Sequence, residues 1–407
     1  MKIASKSLDF SWISMLFLVL TAGSMIFVFF RKEMLYFAFF LFSTLFFIKN
    51  LYKRELIIFL KLTILFLSFL IINFLFASTS QSLQKLFANI VIFTTSIFSA
   101  MYYYRNENKK LFIDHLYFVL KLILIHSLIS FFIYPFVKPF IFEISNSRYD
   151  CYTFLNLFFY LKNTHSLSVI GIDFVRNQGI FWEPGVLQIF LNLLLFIIAF
   201  IKKKKGLLFW ITVLAILTTF STTGLVVMFI QLLLSFGSEV KKNIFFLPFT
   251  ILSIFLLYNI TKKNVSDKLH GSGQYSFQAR LFDLVQPFYM VSQNPMTGVG
   301  LDDEKFIKIR QNPSFSLSLK TIDFTNVKEK GSTNSIMFFL AAAGIPFTLL
   351  ILLMLYFQNF IIEKRKWFFI FIFISLMTEP IMLRPFFLTF VMSGGIYLFN
   401  KFRWKIY

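Results

Sequence analysis

The sequence predicts an all-α integral membrane protein, a polytopic transmembrane bundle of about twelve helical spans. Its 407 residues are 57% hydrophobic and 14% charged, with a mean hydropathy of +0.74. Soluble domains average about 25% charged residues, so this chain lacks the polar surface that a water-soluble fold needs. Apolar runs of spanning length recur from end to end, and basic residues concentrate on alternate loops. These observations exclude a soluble globular protein and predict one membrane domain over residues 1–407.

The spans are predicted from apolar runs of roughly 15 to 22 residues, separated by short charged stretches. They cover residues 10–30, 34–48, 56–77, 86–104, 111–134, 185–201, 206–220, 223–236, 243–260, 335–357, 367–378 and 386–400. The first run is too long for the core of a cleavable signal peptide. The apolar segment 151–161 is too short to cross, and we expect it to form an interfacial helix on the outer leaflet.

The orientation follows from the distribution of basic residues, because Lys and Arg accumulate on cytoplasmic loops. Half of the 40 basic residues fall on loops that alternate along the predicted spans, and the short loops between these carry few. Both termini are therefore predicted to be cytoplasmic. The same distribution accounts for the net charge of +21, so the charge gives no reason to expect nucleic acid as a partner.

Two long segments, 135–184 and 261–334, are predicted to lie on the outer face. Loops of this length are generally functional or disordered. Both keep aromatic and aliphatic residues among the polar ones, which argues against disorder. We therefore expect the functional site at the outer mouth of the bundle.

The first outer loop ends in Arg176-Asn-Gln-Gly179-Ile-Phe-Trp-Glu183-Pro184, directly before a span. Proline suits the first helical turn, so Glu183 is predicted near a helix N-terminus, whose dipole favours its negative form. The alternative is a plain helix start with a solvated arginine at the rim.

The second outer loop carries Arg280 and Asp283, followed by Asn-Pro-Met-Thr-Gly298-Val-Gly300. The planar fork of arginine suits phosphate, and Arg176 and Arg280 together could clamp a diphosphate. The two glycines lack the strand and helix context of a dinucleotide site.

The second loop ends at Ser332-Thr-Asn334, before another apolar span. We expect Ser332 or Thr333 to cap that helix while Asn334 points its amide into the site.

Several other residues need an account. The single cysteine, Cys151, permits no internal disulfide and is expected to be a small buried residue. Lys121 and His126 lie within the fifth span, where ionisable residues are candidates for function. Lys121 is expected to pair with a neighbouring helix or to bind a lipid phosphate. Glu379 and Arg384 flank a short outer turn, where a mutual ion pair or a place at the rim of the site is expected.

Taken in order, these motifs resemble those of the O-antigen polymerase and O-antigen ligase superfamily of bacterial membrane glycosyltransferases. The matching elements are R-x-x-G-x-x-x-E-P at 176–184, a Ser/Thr-Gly tip at 221–224, Arg280 upstream of N-P-x-x-G-x-G, and Asn334 before an apolar helix. The resemblance covers residues 170–360. The first five spans match only in hydropathy and number.

The resemblance implies a GT-C-like bundle that transfers glycosyl groups on the outer face of the inner membrane, without a metal or another cofactor. Undecaprenyl-diphosphate-linked oligosaccharide would be both donor and acceptor, with Arg176 and Arg280 on the diphosphate. Glu183 is the first candidate for the general base and Asp283 the second, and Glu183 could instead orient Arg176. Gly179, Gly298, Gly300 and Asn334 would support the site.

Three functions remain open. Ligases of this superfamily typically carry His-Asn before the late apolar helix, whereas this chain has Thr333-Asn334, which favours a polymerase for O-antigen, lipopolysaccharide or capsule. A ligase or oligosaccharyltransferase of the same fold is the first alternative. A flippase or transporter is the second, although the long one-sided loops and the lack of a repeat argue against it. A chain-length regulator protein is a possible partner of a polymerase.

The predicted orientation can be tested with topology reporters fused to each terminus. Because both termini lie on the basic side of the predicted spans, both fusions should report the cytoplasm. A C-terminal reporter active in the periplasm would contradict the even number of spans.

Overall fold

A computed structural model describes residues 12–48, 52–105, 109–146, 149–162, 167–169, 172–240, 274–311 and 332–403. Of these residues 74% are helical, and the strands are few. In the described part of the chain, four helices are long and apolar enough to cross a membrane, namely Lys53–Phe76, Leu83–Tyr104, Lys110–Phe140 and Pro184–Ile201. They indicate a membrane-associated protein. The twelve spans and the orientation stay predictions, and the ninth span and both termini fall outside the described residues.

The helices in chain order are α1 (Trp12–Leu20), α2 (Met25–Phe29), α3 (Arg31–Phe47), α4 (Lys53–Phe76), α5 (Leu83–Arg105), α6 (Lys109–Val137), α7 (Pro184–Phe196), α8 (Leu207–Thr218), α9 (Thr222–Val240), α10 (Gln274–Gln293), α11 (Asp303–Gln311), α12 (Ser335–Ala343), α13 (Ile345–Tyr356), α14 (Arg365–Leu376) and α15 (Pro385–Arg403). A 3₁₀ turn, Lys138–Phe140, follows α6, and a π turn, Ile197–Ile201, extends α7.

Helix α5 is the centre of one half of the structure, where it packs against α3, α4 and α15. Aromatic rings fill the contacts, as where Phe59 stacks on Phe98 at 5.1 Å between ring centroids. The opposite faces of α3 and α4 leave large apolar side chains exposed, including Phe40 and Ile64. Such faces suit contact with lipid rather than water.

Helix α7 is the centre of the other half. All of its residues are buried, and it packs against α6, α8 and α9. Amides join it to α9: the Asn192 side chain donates to the Gly224 carbonyl at 3.1 Å, and Gln231 donates to the Asn192 side chain at 3.3 Å. Gly224 also lets the helices approach closely, because a Cβ there would lie 2.8 Å from the Cβ of Gln188.

Among the described residues, two predicted spans are broken in their predicted outer halves. The first stops at Leu20 and resumes at Met25, and the span predicted at 335–357 stops before Gly344, which has a φ of +83°. Loop backbone fills each break: the Met25 N–H donates to the Ile180 carbonyl at 2.7 Å, and the Ile345 N–H donates to Pro295 at 2.8 Å. Broken helices are tolerated at membrane depth when protein groups satisfy the freed backbone in this way.

The expected interfacial helix at 151–161 is wrong, because the segment forms two strands of an antiparallel sheet. Strands β1 (Phe142–Ser145), β2 (Asp150–Phe154) and β3 (Phe158–Leu161) pair in sequence order, with Cys151 opposite Leu161. Two further strands, β4 (Leu167–Val169) and β5 (Ile172–Phe174), form a separate hairpin. Leu155 and Asn156 make the tight β2–β3 turn at φ values of +55° and +54°.

Contacts with the sheet explain the positions of Cys151 and His126. Cys151 is fully buried between the sheet and α2, as expected, and burial raises the pKa of its thiol to about 12. His126 of α6 holds the β2–β3 turn, because its Nε2 lies 3.0 Å from the Leu157 carbonyl oxygen and its ring stacks on Phe158. His126 therefore has a structural role.

The Gly298-x-Gly300 segment fastens the second outer loop to the bundle. The N–H groups of Val299 and Gly300 donate to the carbonyls of Ala341 and Ala342 at 2.8 and 2.9 Å. Gly298 adopts a φ of +67°, and a Cβ there would lie 2.3 Å from the Ala341 oxygen. These glycines therefore serve close backbone packing.

We predict that Gly298→Ala lowers the stability of the purified protein by about 1 to 3 kcal/mol, because it adds a backbone clash and a strained φ. Thermal unfolding in detergent would measure the loss. Gly237→Ala is the matched control, since a Cβ at Gly237 meets nothing within 4 Å. Equal melting temperatures for the two variants would contradict this role for Gly298.

Candidate functional site

Four charged residues from distant parts of the chain form one group, which we call the charged cluster: Arg176, Glu183, Arg280 and Glu379. Arg176 follows β5, Glu183 precedes α7, Arg280 lies on α10, and Glu379 lies between α14 and α15. Burial lowers the pKa of Arg176, the carboxylates of Glu183 and Glu379 oppose this shift, and Arg280 adds to it. The structure thus brings Glu183 and Arg280 within electrostatic reach of Arg176, and Glu379 lies within reach of all three.

Arg176 is oriented by the C-terminal end of α8. Its Nε donates to the Thr219 carbonyl at 3.1 Å and its Nη2 donates to the Phe220 carbonyl at 3.3 Å. The neighbouring Asn177 side chain donates to Thr218 Oγ1 at 2.9 Å. Carbonyls at a helix C-terminus carry partial negative charge and suit a cation. The guanidinium is therefore held in place, and its Nη1 makes no hydrogen bond to the described residues.

The segment between Arg176 and Glu183 is fixed by the break between α1 and α2. Gly179 adopts a φ of +56°, which a glycine tolerates without strain, and its N–H donates to Asn177 Oδ1 at 3.1 Å. The Trp182 N–H donates to the Gly23 carbonyl at 3.2 Å, and its ring covers Gly23, where a Cβ would lie 2.2 Å away. The backbone carrying the motif therefore has little freedom.

Glu183 occupies the N-cap position of α7, as predicted. Its backbone is extended and its side chain makes no capping hydrogen bond. The residue is exposed, in contrast to every residue of the helix that follows. Its carboxylate is thus available to a ligand at the start of the buried helix.

Glu379, which the sequence analysis placed in an ion pair or at the rim of the site, is a further candidate for function. Only 4% of the residue is exposed. Burial raises the pKa of its carboxyl group well above the usual range, and the nearby Glu183 raises it further. Arg280 and Arg176 oppose this shift. It packs on the first turn of α7, because a Cβ at Gly185 would lie 1.8 Å from Glu379 Oε1. A signal existed in the sequence, since Glu-Pro occurs both here and at Glu183.

Ser335 fixes the backbone at Glu379. Its hydroxyl donates to the Glu379 carbonyl and accepts from the N–H groups of Ile381 and Met382 at 2.7 and 3.1 Å. The expected ion pair of Glu379 with Arg384 is wrong. The Arg384 guanidinium lies over the rings of Phe27 and Trp182, 4.8 and 5.5 Å from their centroids.

Asp283 lies in a buried ion pair. Its Oδ1 is 2.7 Å from Nη1 of Arg310, and both side chains are 1% exposed. Its Oδ2 accepts from the N–H and the hydroxyl of Thr333, each at 2.6 Å. Both carboxylate oxygens are engaged, so Asp283 joins α10 to the segment before α12 and is poorly placed to accept a proton from a ligand. Arg310 carried no distinguishing signal in the sequence.

Asn334 is the cap of α12, a role that was expected of Ser332 or Thr333. Its side-chain oxygen accepts from the Met337 N–H at 3.0 Å, and it is 4% exposed. Ser332 instead donates to the Asn334 carbonyl at 3.2 Å. Asn334 therefore supports the site by starting the helix whose first residue, Ser335, holds Glu379.

The charged cluster combines two guanidinium groups, an exposed carboxyl and a buried carboxyl with a raised pKa. Guanidinium pairs bind phosphate groups, and carboxyl groups in unlike environments suit separate acid and base roles. Among the described residues, no three His, Cys, Asp or Glu side chains are grouped as metal ligands.

The raised pKa of Glu379 predicts a pH-dependent stability. A carboxyl whose pKa is raised by folding stabilises the fold while protonated, and this contribution is lost as the pH climbs from the usual carboxyl range through the raised value. Glu379→Gln cannot ionise, so its melting temperature should rise relative to that of the wild type as the pH increases above the usual carboxyl range. Glu363→Gln, at an exposed position, is the control. Parallel pH profiles for Glu379→Gln and the wild type would contradict the assignment.

No protein-family model, characterised protein or solved structure matches this chain.

Proposed function

We propose that the protein is a glycosyltransferase of the bacterial inner membrane that polymerises undecaprenyl-diphosphate-linked oligosaccharide repeat units on its outer face. The product would be O-antigen, capsule or a related surface polysaccharide. The observation that supports this most is the meeting of Arg176 and Arg280 with two carboxyl groups at the start of the buried helix α7. The order of the motifs, which resembles the O-antigen polymerase and ligase superfamily, supplies the class of substrate.

The two arginines are assigned to the donor diphosphate. Arg176 is already oriented by Thr219 and Phe220, so binding a phosphate through its remaining nitrogen requires little reordering. Arg280 makes no hydrogen bond or ion pair with the described residues and adds a second cation to the same cluster. Guanidinium groups fixed in advance stabilise the negative charge that develops on a diphosphate leaving group.

The proposed transfer uses the two carboxyl groups differently. A hydroxyl oxygen of the acceptor sugar attacks the anomeric carbon of the donor chain, and the bond from that carbon to the diphosphate oxygen breaks. The electron pair of the broken bond leaves with undecaprenyl diphosphate, and the hydroxyl proton passes to Glu183, which is exposed beside Arg176. Buried Glu379 is assigned as a positioning residue that, in its protonated form, packs on the first turn of α7 near both arginines without adding a second negative charge.

The proposal places the charged cluster outside the cytoplasm, in a GT-C-like bundle of about twelve spans with both termini cytoplasmic. Its substrates are lipid-linked oligosaccharides in the same membrane, and a chain-length regulator is its proposed protein partner. A ligase of the same fold would use the same donor with a different acceptor, so the acceptor decides between these enzymes.

Replacement of each arginine by lysine tests the proposal. A lysine keeps the charge but lacks the planar guanidinium with which Arg176 contacts Thr219 and Phe220 while a third nitrogen stays available to phosphate. At position 280, lysine likewise loses the fork that a guanidinium can present to phosphate. With purified protein in vesicles and authentic lipid-linked repeat unit, Arg176→Lys and Arg280→Lys should each lower the polymerisation rate by about 100-fold or more. Electrophoresis of the glycolipid ladder measures the rate. The control is Arg54→Lys, since Arg54 is exposed and donates to Asn400 on another part of the bundle.

A full ladder from both lysine variants would contradict the diphosphate assignment. A wild-type protein that gives no ladder would contradict polymerisation, and addition of lipid A core would then show whether it ligates the donor to that acceptor.

A further inference from the structure

Lys121 is an intramembrane cation that the proposed reaction does not use. It lies near the middle of α6, and no carboxylate among the described residues forms an ion pair with it. Its ammonium group lies 5.0 Å from the ring centroid of Tyr117 and 5.7 Å from that of Phe118. The pairing with a neighbouring helix that the sequence favoured is therefore absent here. An ionisable residue inside a span is by default a candidate for function.

A second cation approaches the same ring. The Lys202 ammonium lies 5.4 Å from the Tyr117 centroid and pairs with Asp114 at 2.5 Å. Asp114, Tyr117 and Lys121 are spaced i, i+3 and i+7, so they share one face of α6. Asp114 neutralises Lys202, and the positive charge of Lys121 is left for another anion.

The end of α7 is shaped to bring Lys202 to this face. The helix finishes in the π turn Ile197–Ile201, and the Lys202 N–H donates to the Ile197 carbonyl at 2.8 Å. Single π turns change the register of a helix and are frequent at functional sites. Lys203 and Lys204 follow directly and are exposed, so basic side chains continue beyond the face.

The depth of the site suits a lipid headgroup. Helix α6 has 29 residues, or roughly 43 Å at 1.5 Å per residue, which exceeds a hydrocarbon core of about 30 Å. Its first turns can therefore lie among the headgroups of the predicted cytoplasmic leaflet. Helical side chains slant toward the N-terminus, which directs the Lys121 ammonium toward that leaflet.

The site is open to lipid from the side. Phe118, Leu122 and Ile125 on the adjoining surface of α6 are all exposed. A lipid can therefore place its chains along α6 while its phosphate contacts Lys121. Basic pockets between helices on the cytoplasmic side commonly bind anionic headgroups.

From these contacts we propose that Lys121, which lies over the Tyr117 ring beside the Lys202–Asp114 ion pair, binds the phosphate of an anionic phospholipid of the cytoplasmic leaflet. The site is separate from the charged cluster and does not depend on the proposed reaction. Its occupant would stabilise the contact between α6 and the end of α7.

Lipid binding to the full-length protein, delipidated in neutral detergent, tests the site. Native mass spectrometry with cardiolipin or phosphatidylglycerol should show about fivefold weaker binding for Lys121→Gln, the effect of one basic residue at a lipid surface. Lys121→Arg should keep the affinity. Lys61→Gln is the matched control, because Lys61 lies within α4, is exposed, and has no part in this face.

Several results would overturn the proposal: equal affinity of Lys121→Gln and the wild type, equal binding of phosphatidylcholine, or an equal loss in Lys61→Gln. Competition by millimolar inorganic phosphate would show that a free phosphate site, and not a lipid, was found. If Lys121→Gln does not purify, Lys121→Met preserves the apolar stem and serves in its place.

Discussion

Helix α7 is buried along its whole length, and the geometry of the candidate site depends on where its first turn lies. Pro184 begins the helix, Glu183 precedes it, and the Glu379 carboxyl packs against Gly185. Because α6, α8 and α9 surround α7, this first turn cannot move without disturbing the packing of half the described structure. Charged groups that meet there are therefore held by a rigid element.

Charged and irregular segments lie at the end of an apolar bundle, so other protein groups must form hydrogen bonds with their backbone. At the α1–α2 and α12–α13 breaks, the N–H groups of Met25 and Ile345 donate to the carbonyls of the loop residues Ile180 and Pro295. The C-terminal carbonyls of α8 bind Arg176, and Asp283 with Arg310 joins α10 to the start of α12. These hydrogen bonds and the ion pair restrict the motion of the loops, which favours a site that is formed before its ligand binds.

The sequence predicted the helical class, and it singled out Arg176, Glu183 and Arg280, which the structure brings near Glu379. Apolar runs and the Arg-to-Glu-Pro spacing are local features that can be read from the chain. It did not predict the hairpin at 151–161, since a short run of apolar residues fits a strand and an interfacial helix equally well. The structural roles of Asp283 and Asn334 depend on Arg310 and on the backbone of Met337. Glu379 shares a Glu-Pro pair with Glu183, but its burial against Gly185 is seen only in the structure. These contacts join residues that are distant in the sequence, so the spacing of neighbouring residues does not reveal them.

The central claim is that Arg176, Arg280, Glu183 and Glu379 act as one unit although they come from four separate segments. A double-mutant cycle on the polymerisation rate tests this most directly, using Arg176→Lys, Glu379→Gln and the double variant with the same lipid-linked substrate. Residues in one electrostatic network are coupled. When each loss of rate is expressed as an activation free energy, the loss in the double variant should differ from the sum of the two single losses by more than about 0.5 kcal/mol. A double variant whose loss equals the sum of the two single losses to within that margin would contradict a shared site.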